Sequence, residues 1–177
     1  MARIKSCALP EGALLGRYRR NGQYTDCYVA KVPGTVALPG FVVAFYTTPV
    51  FRLERLILKR AFARPSSDAE AAQLAAGSSE RFAAWQVESR GEQQLLLADF
   101  RGRTRSWFMV TPADSPRGKS TALYFGSAVL PGRNTQGGAP GPGFRALLAF
   151  HRLYSVVLLR AAQRRLASSR GQEGSDR

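Results

Sequence analysis

The sequence predicts an α+β fold in which antiparallel strands are followed by one long C-terminal helix. Three observations carry this prediction. Five stretches between residues 24 and 130 are strand-forming and bounded by turn residues, short stretches between 41 and 76 have helical spacing or caps, and one unbroken helical pattern runs from Phe144 to about Leu166.

The chain has 177 residues, which fits a single domain that buries roughly 70% of its unfolded surface. With 45% hydrophobic and 10% aromatic residues, general disorder is excluded. Cys7 and Cys27 stand apart from any further cysteine, and His151 is the only histidine, so neither a disulfide framework nor a zinc site of ordinary composition is expected. The residues call for no metal and no cofactor. The longest apolar stretch, Val36 to Phe51, is cut by Pro39, Gly40, Thr47, Thr48 and Pro49 and falls short of the ~20 residues of a membrane helix. With no apolar run of signal-peptide length at the N-terminus, the expected location is a reducing cytoplasm.

Residues 1–20 form a basic N-terminal arm without strong pattern, read as loop apart from a Leu9 to Leu15 stretch able to pack. Tyr24 to Val32 alternates and closes at Pro33-Gly34, which predicts a strand. After Pro39-Gly40 a short helix covers Phe41 to Tyr46. Thr48 before Pro49 then has the form of an N-cap with a first-turn proline. From there Val50, Leu53, Leu56 and Ile57 share one helical face, opposite Arg52, Glu54, Arg55, Lys59 and Arg60, up to Arg64-Pro65. Ser67 and Glu70 have capping-box spacing, Ala69 to Ala76 favour helix, and Gly77 supplies the stop. Four strand runs follow: Phe82 to Arg90, Gln94 to Phe100, Thr104 to Thr111 and Thr121 to Leu130. Their apolar residues lie on both faces, which requires cover on both sides or a hollow on one. Pro131 to Gly143 is a Gly/Pro-rich connection without the Gly-Lys-Ser/Thr ending of a phosphate loop. In the last helix Phe144, Leu147, Leu148, His151, Tyr154, Leu158 and Ala162 share a face, with Arg145, Arg152, Arg160 and Arg164 opposite. The domain spans residues 21–167, and 168–177 read as a disordered tail.

This element order resembles the START-like helix-grip superfamily, which includes polyketide cyclases and lipid-binding proteins. Local likeness to bacterial members lies at Phe45-Tyr46-Thr47-Thr48-Pro49, Gly102-Arg103-Thr104-Arg105-Ser106-Trp107 and Tyr124-Phe125-Gly126-Ser127-Ala128. The resemblance covers about residues 24–166. It implies a curved antiparallel sheet wrapped around the long C-terminal helix, with a ligand cavity between them. It transfers no catalytic residue.

Within that fold His151 faces the cavity, where an imidazole can bind a polar group or act as a base; the alternative is a histidine hydrogen-bonded in the core. Tyr154 lies one turn on. Trp85, Trp107 and Tyr124 are aromatics with polar tips, suited to lining a pocket or to filling a solid core. Arg103 and Arg105 share a strand face by period two. Either they grip an anion together or they pair with Asp99 at a solvated turn. The expected ligand-binding set is therefore Trp85, Arg105, Trp107, Tyr124, His151 and Tyr154, with His151 and Tyr154 as candidate catalytic groups. Cys27 reads as a small buried hydrophobe.

The net charge is +14, and 22 of the 26 basic residues are arginine. Arginine favours phosphate and carboxylate partners. The excess is spread over residues 1–20, 52–64, 101–119 and 144–177, without helix-turn-helix spacing or an aromatic RNA-binding signature. The leading expectation is a protein that binds a hydrophobic or amphipathic small molecule or lipid and needs no catalysis. The alternatives are a cyclase- or aromatase-like enzyme using the same cavity, and a basic surface for anionic membrane or, with less support, nucleic acid. Oligomeric state is open.

Overall fold

Branched and aromatic alternation places the long strands close to where the pattern predicts them. The computed structural model describes residues 3–53, 66–113, 115, 118–130 and 142–173, with side chains in the last helix described for 152–168. Among these residues seven strands form one antiparallel sheet: β1 (Lys5–Ser6), β2 (Tyr24–Pro33), β3 (Arg81–Phe82), β4 (Trp85–Arg90), β5 (Gln94–Asp99), β6 (Thr104–Ala113) and β7 (Ser120–Val129). Their order is β1-β2-β7-β6-β5-β4-β3. The chain therefore leaves the sheet after β2, builds helices, re-enters at the far edge and meanders back until β7 pairs with β2, from Tyr24↔Val129 to Pro33↔Ser120.

The helices are α1 (Gly16–Arg20), α2 (Leu38–Tyr46), α3 (Asp68–Ala76) and α4 (Pro142–Glu173). Helix α2 begins at Leu38 rather than Phe41, because a proline in the first turn loses no intrahelical hydrogen bond. Thr48 acts as the predicted cap: its Oγ1 accepts from the Phe51 amide at 3.2 Å, and residues 49–53 are helical. Leu56, Ile57 and the remainder of that predicted helix lie outside the described residues. Ser67 and Glu70 form the reciprocal capping box, Glu70 N donating to Ser67 Oγ at 3.2 Å and Ser67 N to Glu70 Oε2 at 2.6 Å. Gly77 ends α3 at φ 82°, a conformation open to glycine.

Three expectations are corrected. Phe82 to Arg90 is not one strand but two, β3 and β4, folded about Ala83 and Ala84, with Ala83 at φ 52°. Residues 1–20 are not all loop: β1 pairs with β2, and α1 packs on the sheet, because Leu15 and Tyr18 find buried apolar surface there. Finally, α4 runs on through residues 168–173, assigned to a disordered tail from composition. The arginines and alanines of its last turns are good helix formers, and Ser168 Oγ donates back to Arg164 O at 3.0 Å, so its hydroxyl does not compete with the helix.

Strand parity divides the sheet into two buried faces. On the helix side, α2, α3 and α4 cover Tyr28, Ala30, Val32, Leu95, Leu97, Phe108, Val110, Leu123 and Phe125. Phe45 stands at the centre, its ring 4.6 Å from Phe125 and 4.9 Å from Phe108. Helix α4 lies along β2 and against α2, with Leu158, Leu159 and Ala162 buried, Gln163 Nε2 donating to Lys31 O at 2.9 Å and Arg165 to Thr47 O at 2.9 Å. On the other face, the arm side, Ala13, Leu15 and Tyr18 cover Cys27, Leu96, Trp107 and Ala128.

Candidate functional site

The six expected ligand residues do not share one face. Period two and the β6–β7 register send Trp107 and Tyr124 to the arm side, their rings 6.4 Å apart, whereas Trp85 and Tyr154 border the helix-side core. His151 belongs to α4, but its side chain lies outside the described residues.

On the arm side every expected residue is engaged internally. Trp107 is fully buried, and its Nε1 donates to Gln94 Oε1 at 3.0 Å. The same oxygen accepts the Leu14 amide at 3.0 Å, while Gln94 Nε2 donates to Gly12 O at 3.2 Å, so one side chain ties the arm to the indole. Arg105 pairs with Glu88, and its Nε donates to Tyr18 Oη at 2.8 Å; Tyr18 in turn donates to Glu88, which also pairs with Arg17. Arg105 thus pairs with Glu88, not with Asp99. The Asp99 carboxylate instead accepts the turn amides of Arg103 at 2.6 Å and Thr104 at 2.8 Å, and Arg103 is exposed. A register shift between Val87 and Ser89 accompanies the placement of Glu88 in this network.

The helix side differs at its Tyr24 end. There the sheet presents Asp26, Ser127, Ser106, Leu97 and Val87 in one row across five strands, which the cross-strand pairs place side by side. Asp26 Oδ1 accepts from the Ser127 amide at 3.0 Å and from its hydroxyl at 2.6 Å. Tyr24 Oη accepts from Arg152 Nε of α4 at 2.8 Å and lies 3.4 Å from Asp26 Oδ2. Burial raises the Tyr24 phenol above its ordinary value, with the Arg152 hydrogen bond opposing. Tyr28, next along the same face, is pushed up to about 12, first by burial and then by the Asp26 and Tyr24 charges. At the far flank, in the adjoining row with Asp99, Thr104, Val129 and Tyr24, the indole Nε1 of Trp85 is buried and has no hydrogen-bond partner among the described residues.

Neither family models nor curated proteins match this chain.

Sequence reasoning missed the Asp26–Ser127 pair, although a signal existed: Asp26 falls in the same parity as Tyr24, Tyr28, Ala30 and Val32, a carboxylate among inward-facing residues. A cavity of about 1080 Å³ lies elsewhere, at the opposite end of the sheet between the β2–α2 connection and the β6–β7 ends. None of Trp85, Arg105, Trp107, Tyr124 and Tyr154 lines it. Its buried threonine is already satisfied, Thr121 Oγ1 donating to Gly34 O at 2.8 Å and accepting the Val36 amide at 2.9 Å, so this groove reads as a seam between elements. Chemically, the Tyr24 end offers a fixed carboxylate, hydroxyls and an unfilled indole donor beside an aromatic wall. No helix among the described residues is long and apolar enough to cross a membrane.

Proposed function

We propose that the chain is a helix-grip protein that binds a hydrophobic or amphipathic small molecule or lipid on the helix side of its sheet. The apolar part of the ligand rests on Val87 and its polar part meets the Trp85 indole, both of them half-buried. One observation carries the reading: a buried indole N–H with no acceptor among the described residues, at the polar end of an otherwise apolar face. A buried donor left unpaired costs roughly 1–3 kcal/mol, which a ligand acceptor recovers. The architecture supports it too, since an antiparallel sheet packed against a long C-terminal helix is compatible with the arrangement the resemblance implies.

The test titrates the protein with the dye 1-anilinonaphthalene-8-sulfonate and displaces the dye with oleate. Saturable binding is expected, and Trp85→Phe, with an unchanged circular dichroism spectrum, raises the oleate Kd about 5-fold, the value of one hydrogen bond of ~1 kcal/mol. Absence of saturable binding, or an unaltered Kd in the variant, overturns the reading.

A further inference from the structure

Twenty residues apart in sequence, Cys7 and Cys27 are neighbours in space, with Cys7 Sγ 3.4 Å from Cys27 Sγ. The β1–β2 ladder brings them there. Lys5 pairs with Val29 and Ser6 with Tyr28, so the next pair is Cys7 opposite Cys27, held by the Cys7 amide donating to Cys27 O at 3.0 Å. Directly opposed, hydrogen-bonded antiparallel residues have Cα atoms about 5.5 Å apart, inside the range a disulfide spans. Bond formation brings the sulfurs from 3.4 Å to about 2.05 Å, by side-chain rotation and a small inward shift of the arm.

From this geometry we infer that Cys7 and Cys27 are a redox-active dithiol that closes into a disulfide and clasps the N-terminal arm to the sheet. Cys27 is buried at 3% exposure, while Cys7 is half-buried and is the sulfur an oxidant reaches first. A cavity of about 500 Å³ has both cysteines in its wall, together with Arg19, Thr25, Asp26 and Arg152. Two guanidinium groups at the wall suit an anionic, low-molecular-weight disulfide such as oxidised glutathione. In the reaction the Cys7 thiolate attacks one sulfur of that disulfide; the small molecule's S–S bond breaks and the first small thiol leaves. The Cys27 thiolate then attacks Cys7 Sγ in the mixed disulfide and expels the second small thiol. The two protons lost by the cysteines end on the two released thiols, so the protein is oxidised by two electrons and one small disulfide is reduced. Burial raises both thiols above their ordinary range, Cys27 the more strongly, which keeps the pair protonated and the reaction slow at neutral pH.

The full chain is incubated with oxidised glutathione at pH 8.5, natively and in urea, then blocked and digested with trypsin without reductant. Cleavage after Lys5, Arg17, Arg20 and Lys31 separates the two cysteines. The expected product is the peptide Ser6 to Arg17 linked to Asn21 to Lys31, and its ratio to the glutathione adduct on Cys7 is at least 10-fold higher in the native chain than in urea, because the fold holds the second sulfur beside the first. Closing a loop of this length raises Tm by roughly 6–12 °C, and Cys7→Ser abolishes both the link and the shift while keeping the reduced Tm. A linked-to-adduct ratio no higher in the native chain than in urea overturns the inference, as does a stable glutathione adduct on Cys7 that never closes. This experiment is independent of ligand binding on the helix side.

Discussion

On the helix side of the sheet the burial is aromatic and continuous: Phe41, Phe45, Tyr46, Phe51, Phe82, Phe108 and Phe125 interlock mainly edge-to-face or tilted, drawn from β3, β6, β7, α2 and the helical residues 49–53. On the arm side a single stretch of chain, residues 7–20, covers a smaller cluster and is fastened by specific polar groups, Gln94 to the arm backbone and Glu88 to Arg17, Tyr18 and Arg105. The first face is held by area, which is non-directional and spread over many partners. The second is held by a few directional bonds on a short segment, so it is the face that can open locally while the sheet persists.

The largest test of that contrast compares one truncation on each face. Phe45→Ala, at 2% exposure, is expected to cost about 3–5 kcal/mol and to lower the midpoint of global urea unfolding. Leu15→Ala, fully buried beneath the arm, is expected to cost about 2–4 kcal/mol. Hydrogen exchange separates them: in Leu15→Ala the amides of Cys7, Gly16 and Tyr18 exchange faster while those of β5 to β7 do not. Uniform acceleration in both variants would make the two faces one cooperative unit.

A smaller effect probes how closely the arm is seated. A Cβ on Gly126 would stand 2.7 Å from Asp26 O, 3.0 Å from Leu15 and 3.1 Å from Trp107, so Gly126→Ala forces the arm and the indole outward. Calorimetry should show a loss of about 1–3 kcal/mol, and an unchanged Tm would mean that the arm is loosely held.

The smallest effect concerns alkaline pH and the helix side. Because the Tyr28 phenol is raised to about 12 in the fold, the unfolded chain loses that proton first as pH rises. Its contribution to stability is complete below the unfolded value near 10 and is lost as pH climbs through the folded one. Tyr28→Phe should therefore flatten the decline in urea stability between about pH 10 and 12. An unchanged slope would remove Tyr28 from the cause.

Much of the fold was legible because its signals are local. Alternation located β2, β5, β6 and β7, the Ser67–Glu70 box and Gly77 bounded α3, and Thr48-Pro49 marked a helix start. Parity also separated Leu123 and Phe125 from Tyr124, Ala128 and Leu130, as the two clusters show. The grouping of site residues was less legible. Trp85, Trp107 and Tyr124 look alike as strand aromatics, yet the sheet stands between the first and the other two. Arg105 and Asp99 are near in sequence, but the partner of Arg105 is Glu88, which a local irregularity in β4 brings within reach.

By itself the sequence determined the secondary elements, their caps and the parity of each strand, because those depend on residues within a turn or two of one another. Only the tertiary structure decided which strands became neighbours, and with that the meetings of Cys7 with Cys27, Asp26 with Ser127 and the arm with Trp107. These contacts join positions 20 to more than 100 residues apart. They follow from the strand order that buries both faces of the sheet at once, a free energy summed over the whole chain that no local periodicity reports.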